Sequence, residues 1–133
     1  MKYPLTRIFL ALSGAIAALI GVSVLFLPHA FFATNHITLG TDPNMMSEIR
    51  APGGLLLAAG VVMICGAVMT SFIRAALLTG AVVFSMYGVS RVVSLVFDGF
   101  PSSSIMGALV IELVVGGIAA VLITKFGAAR SKS

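Results

Sequence analysis

From Ile8 to Leu27 the chain runs for 20 residues without a charged side chain. A helix rises about 1.5 Å per residue, so such a run crosses the roughly 30 Å hydrocarbon core of a bilayer. Three more apolar runs follow, and the four expected spans lie at about 5–27, 51–73, 75–97 and 104–126. Only 9% of the residues are charged and the mean hydropathy is +1.16, where soluble domains carry about 25% charged residues. The expected fold is all-α: one domain over residues 1–133, an integral membrane four-helix up-and-down bundle.

The breaks between spans carry turn chemistry. Pro28 stops the first span, residues 70–74 (TSFIR) turn around Arg74, and residues 98–104 (DGFPSSS) end in Ser104, a residue able to cap the fourth helix. The connection at 28–46 is long for so small a protein and is expected on the membrane surface, with Phe31 and Phe32 dipping into the interface. Asp42 before Pro43 reads as a helix start, and so does Ser47. A start at Pro43 would place Pro52 inside the second helix, where it removes one backbone hydrogen bond.

Lys2, Arg7, Arg74, Lys125, Arg130 and Lys132 fall on the side shared by the two termini and the second turn, whereas Asp42, Glu48 and Asp98 fall opposite. Basic residues near span ends stay in the cytoplasm, so both termini are expected to be cytoplasmic. The bias opposes a dual-topology protein. It also accounts for the net charge of +4 by contact with anionic headgroups, and nucleic acid is not an expected partner. The first apolar run is too long, and HAFFA (29–33) too poor a cleavage site, for a removable signal peptide.

No phosphate-binding glycine loop, dinucleotide fingerprint or nucleophile elbow is present, and the chain is read as non-enzymatic and without a cofactor. Cys65, the single cysteine, sits in an apolar run and reads as a small core residue. His29 and His36 are seven residues apart with no third ligand in sight, so no metal site is expected. Small residues mark contact faces: Ser13, Gly14, Ala17 and Gly21 in the first span, and Ala108, Gly116 and Ala119 in the fourth. Such stripes let helices approach closely in lipid.

The third span holds the main anomaly. Tyr87, Arg91, Ser94 and Asp98 fall within an arc of about 60° on a helix, a polar stripe in an apolar run. Arg91 lies about 10 Å deeper than Asp98, and Glu112 about 12 Å from the same side. Arg50 and Glu48 stand at the same end of the second span. A charge left alone at mid-membrane costs about 2.5 to 3.5 kcal/mol. The expectation is therefore a buried network of Arg91 and Glu112, completed by Glu48, Arg50, Tyr87, Ser94 and Asp98. Such a network fixes the helices, or forms a pocket for a small anionic or zwitterionic ligand such as a lipid headgroup.

The segments DPNMMSEIRAPGG (42–54) and YGVSRVVSLVFDG (87–99), with a glutamate in the last span, resemble a family of small four-helix bacterial membrane proteins, domain of unknown function 4345. The family is similar to the broader DoxX-like group, whose members include accessory subunits. The resemblance implies a multi-pass protein of the bacterial inner membrane and falls on Glu48, Arg50, Gly53, Gly54, Arg91, Ser94, Asp98 and Glu112. It implies no activity. Besides the bilayer, the expected partners are another membrane protein or a second copy of the chain. The alternatives are a small proton-coupled transporter using Glu112 and a membrane-embedded enzyme in which Tyr87, Arg91 and Glu112 polarise a substrate.

Overall fold

The computed structural model describes residues 3–130, and side chains as far as residue 127. Lys2, Lys132 and the side chain of Arg130 lie outside the described residues. The order is α1 (Pro4–Phe26), α2 (Pro28–Ala33), α3 (Pro43–Val68), a 3-10 turn (Thr70–Phe72), α4 (Ile73–Asp98) and α5 (Ser103–Arg130). Four of these, α1, α3, α4 and α5, are long and apolar enough to cross a membrane. They run up and down, as the spans predict.

Two boundaries differ from expectation. The second span was expected at 51–73, but α3 begins at Pro43 and ends at Val68. Its start is set by Asp42, whose carboxylate accepts from the Met45 N–H at 2.9 Å, with Pro43 in the first turn, where a missing N–H costs nothing. Pro52 is therefore interior to α3 and cannot donate to the carbonyl of Glu48. The connection at 28–46 is also less of a loop than expected, since Pro28–Ala33 forms α2. The turn around Arg74 lies earlier, at Thr70–Phe72, and Arg74 belongs to α4.

The closest pairing is α1 with α3. Ser13, Gly14, Ala17 and Gly21 are all buried, and Gly53 and Gly60 face them from α3. A Cβ on Gly60 would lie 2.5 Å from the Ala18 amide nitrogen and 2.7 Å from the Gly14 carbonyl oxygen. Only glycine admits backbones at that separation. α4 continues the row from α3 through Met63, Ala76 and Gly80, and α5 packs along α4. The core of Leu10, Met63, Ile73, Ala76, Leu77 and Phe126 gathers toward the termini, where Tyr3 meets Phe126 edge-to-face with ring centroids 5.0 Å apart.

Two arginines close this pair. Arg7, in the first turn of α1, donates through Nη1 to the carbonyls of Ala67 and Val68, at 2.8 and 3.0 Å, at the end of α3. Arg50, near the start of α3, donates through Nη1 to the carbonyl of Leu25 at the end of α1. The last four carbonyls of a helix have no partner within it, and that end attracts cations. Each helix is thus capped by its antiparallel neighbour. Arg50→Ala is expected to lower stability by about 1 to 2 kcal/mol, read as a lower unfolding temperature in detergent; an unchanged temperature would discount the cap.

Candidate functional site

α4 and α5 make their own close approach at two glycines. A Cβ on Gly88 would come within 2.5 Å of Leu113 Cδ2, and one on Gly116 within 2.8 Å of the Ser85 amide nitrogen. One turn toward the 99–102 connection stand Arg91 on α4 and Glu112 on α5. Their separation is set by the glycine contact. Arg91 Nε donates to Glu112 Oε2 at 2.7 Å and Nη2 to Oε1 at 3.0 Å. This two-pronged geometry is the strong form of an arginine–carboxylate pair. The side chains are 32% and 13% exposed respectively. Nη1 of Arg91 has no partner among the described residues.

Beyond this pair no residue of α4 from Val89 to Asp98 is buried, and the helices leave a cleft of about 330 Å³ between them. That volume is within the range of small-molecule sites. Its two walls differ in character. α4 supplies Tyr87, Ser90, Arg91, Ser94 and Leu95, while the connection and α5 supply Pro101, Ile105, Met106 and Leu109. The Ser90 hydroxyl donates to the Met86 carbonyl at 2.7 Å and the Ser94 hydroxyl to Asp98 Oδ2 at 2.8 Å.

The single network expected of seven residues does not form. Arg91 and Glu112 meet, and Tyr87 and Ser94 share the cleft with Arg91. Asp98 is exposed and bonded to Ser94 on its own helix. Arg50 is committed to the end of α1, because α3 lies against α1 and not against α5. Glu48 is exposed and makes no ion pair or side-chain hydrogen bond among the described residues. Equal depth is shared by these charges, but α3 meets α4 through Gly66 against Ala76 and Met63 against Gly80, toward the termini end, and at its other end Arg50 reaches α1.

Sequence reasoning passed over Ser90 and the apolar wall. Ser90 lies about 40° beyond the edge of the polar stripe, and widening the arc by one serine would have included it. Nothing distinguishes Ile105, Met106 and Leu109 from lipid-facing residues in the sequence. Elsewhere, His29 and His36 line a concavity of about 390 Å³ near the 34–42 segment, with His29 Nε2 at 3.1 Å from the Gly40 carbonyl. Among the described residues no group of three or more His, Cys, Asp or Glu is placed to hold a metal.

Compared with known proteins, the chain matches the family described as Domain of unknown function (DUF4345) over residues 5–123. No curated protein and no solved structure matches it.

Proposed function

The chain belongs to that family, Domain of unknown function (DUF4345), and from its own geometry we propose that it binds, without catalysis, the polar end of a membrane amphiphile between α4 and α5. The observation that carries this reading is the Arg91 guanidinium, fixed on two sides by Glu112 with Nη1 unspent, at the wall of a cleft polar on one side and apolar on the other. A rigidly held donor costs little ordering when a ligand arrives. Charged residues within membrane spans mark ligand pathways often enough to support the assignment.

Placement in the bacterial inner membrane with both termini cytoplasmic is part of the same proposal. Arg7, Arg74 and Lys125 lie at the termini end, and Asp42, Glu48 and Asp98 at the other, which puts the cleft in the outer leaflet. An accessory role beside a larger membrane protein, suggested by the DoxX-like resemblance, is compatible with this reading. Proton-coupled transport through Glu112 is the second reading, supported by the partial burial of that carboxylate within a membrane-spanning helix. Both of its oxygens accept from Arg91, however, so protonation of Glu112 would cost the charge-assisted contact with the guanidinium.

Native mass spectrometry from detergent tests the binding reading. Wild type is expected to carry a discrete lipid mass that Arg91→Gln, still folded by circular dichroism, has lost. A wild type free of adducts after incubation with lipid extract would overturn it.

A further inference from the structure

Resting on the binding reading above, we propose that the cleft recognises an uncharged hydroxyl-and-ester group, the glycerol end of a neutral single-chain lipid, in preference to a phosphate. Three observations converge on it.

The first is charge. Among the described residues Arg91 is the one cation lining the cleft, and it is already matched by the two-pronged contact with Glu112. The next ionisable group along the stripe is the carboxylate of Asp98, held by Ser94. A phosphate would add negative charge to a site whose one cation is already charge-matched by Glu112, with Asp98 the next carboxylate along the stripe. A phosphate also favours several donors at once, and Arg91 offers one remaining nitrogen.

The second is the hydrogen-bond inventory. The hydroxyl protons of Ser90 and Ser94 are committed to the Met86 carbonyl and to Asp98. Both oxygens therefore offer a ligand only lone pairs. Arg91 Nη1 offers only N–H donors. Tyr87, whose hydroxyl has no partner among the described residues, can do either. The complement is a ligand with a donor and an acceptor a few ångströms apart, which a hydroxyl beside an ester carbonyl provides. A fully ionised phosphate accepts but does not donate, and a quaternary ammonium does neither.

The third is place and size. The lining residues other than Pro101 belong to membrane-spanning helices, and Leu95, Ile105, Met106 and Leu109 form an apolar surface suited to the first carbons of a chain. A cleft of about 330 Å³ is at the small end of the range of small-molecule sites, a size suited to a three-carbon headgroup and the start of one chain.

The test titrates the full protein in a nonionic detergent, by native mass spectrometry, with monooleoylglycerol, with the lysophosphatidic acid bearing the same chain, and with free glycerol as competitor. Monooleoylglycerol is expected to bind at least tenfold more tightly than the phosphate lipid, with glycerol failing to displace it. In Glu112→Gln, where Arg91 is no longer matched, the preference is expected to shrink or reverse. Ser90→Ala/Ser94→Ala, at two exposed positions, is expected to weaken monooleoylglycerol alone, and supplies the side-chain test if Glu112→Gln does not fold. Tighter binding of the phosphate lipid by wild type would overturn this inference while leaving the binding reading intact; it would point to the backbone N–H groups at the start of α5. Displacement by free glycerol would replace the lipid with a soluble ligand. Loss of all Arg91-dependent binding would defeat the binding reading itself.

Discussion

Gly60→Ala is expected to destabilise the protein by an amount at or above the upper end of the about 1 to 3 kcal/mol that overpacking costs, and Gly60→Leu to prevent folding. The added Cβ meets the Ala18 nitrogen at 2.5 Å, the Gly14 oxygen at 2.7 Å and the Ala18 Cα at 2.9 Å. All three are backbone atoms and cannot rotate aside. The two helices must separate, and separation strips contact from a seam that holds by packing, since lipid supplies no hydrophobic drive between helices. Gly117 is the matched control, on a helix but with nothing within 4 Å of its would-be Cβ. Gly117→Ala is expected to leave stability unchanged or to raise it by up to about 1 kcal/mol. Thermal unfolding in detergent, followed by circular dichroism, reads both. Equal unfolding temperatures for Gly60→Ala and wild type would contradict the close approach of α1 and α3.

Glu112→Leu is expected to cost about 3 kcal/mol, because it leaves Arg91 without its counter-charge at membrane depth. The guanidinium is about one-third exposed, so it recovers part of that loss by reaching toward the headgroups. Arg91→Met/Glu112→Leu should regain most of the stability lost by the single variant, since a well-packed apolar pair substitutes for a buried ionic one at little cost. A double-mutant cycle measures the coupling directly. Strictly additive losses would mean that the pair contributes nothing beyond its separate side chains. Recovery of stability without recovery of lipid binding would separate the structural role of the pair from its place in the cleft.

How much could be read from the chain beforehand differs from feature to feature. The spans were legible because 20 uncharged residues have few other uses. The start of α3 was ambiguous for a local reason: Asp42 before Pro43 and Ser47 each carry a helix-start signal while Pro52 speaks against a helix running through it, and the side-chain cap on Met45 decides for Asp42. Arg91 and Glu112 could be matched because rise per residue fixes depth. Depth does not say which helix stands beside which, and that is why Arg50 was grouped with them when its neighbour is the end of α1. The polar wall of the cleft was legible as the stripe of Tyr87, Arg91 and Ser94, but its apolar wall and its extent were not. The cleft is a gap produced where α4 and α5 part after touching at Gly88 and Gly116, and a gap leaves no mark on a hydropathy profile.

The paired arginines have a consequence for alignment. Arg7 holds the carbonyls that finish α3, and Arg50 holds one that finishes α1, so the two anchor points lie at opposite ends of one seam. A slide of either helix by a single residue is about 1.5 Å, enough to pull a guanidinium out of hydrogen-bonding range at both ends together. The glycines between resist the same slide, since it would bring a Cβ-bearing neighbour of Gly60 to the point where Gly14 and Ala18 leave no room for one. The arginines act as end-stops, making one register of α1 against α3 distinct from its neighbours.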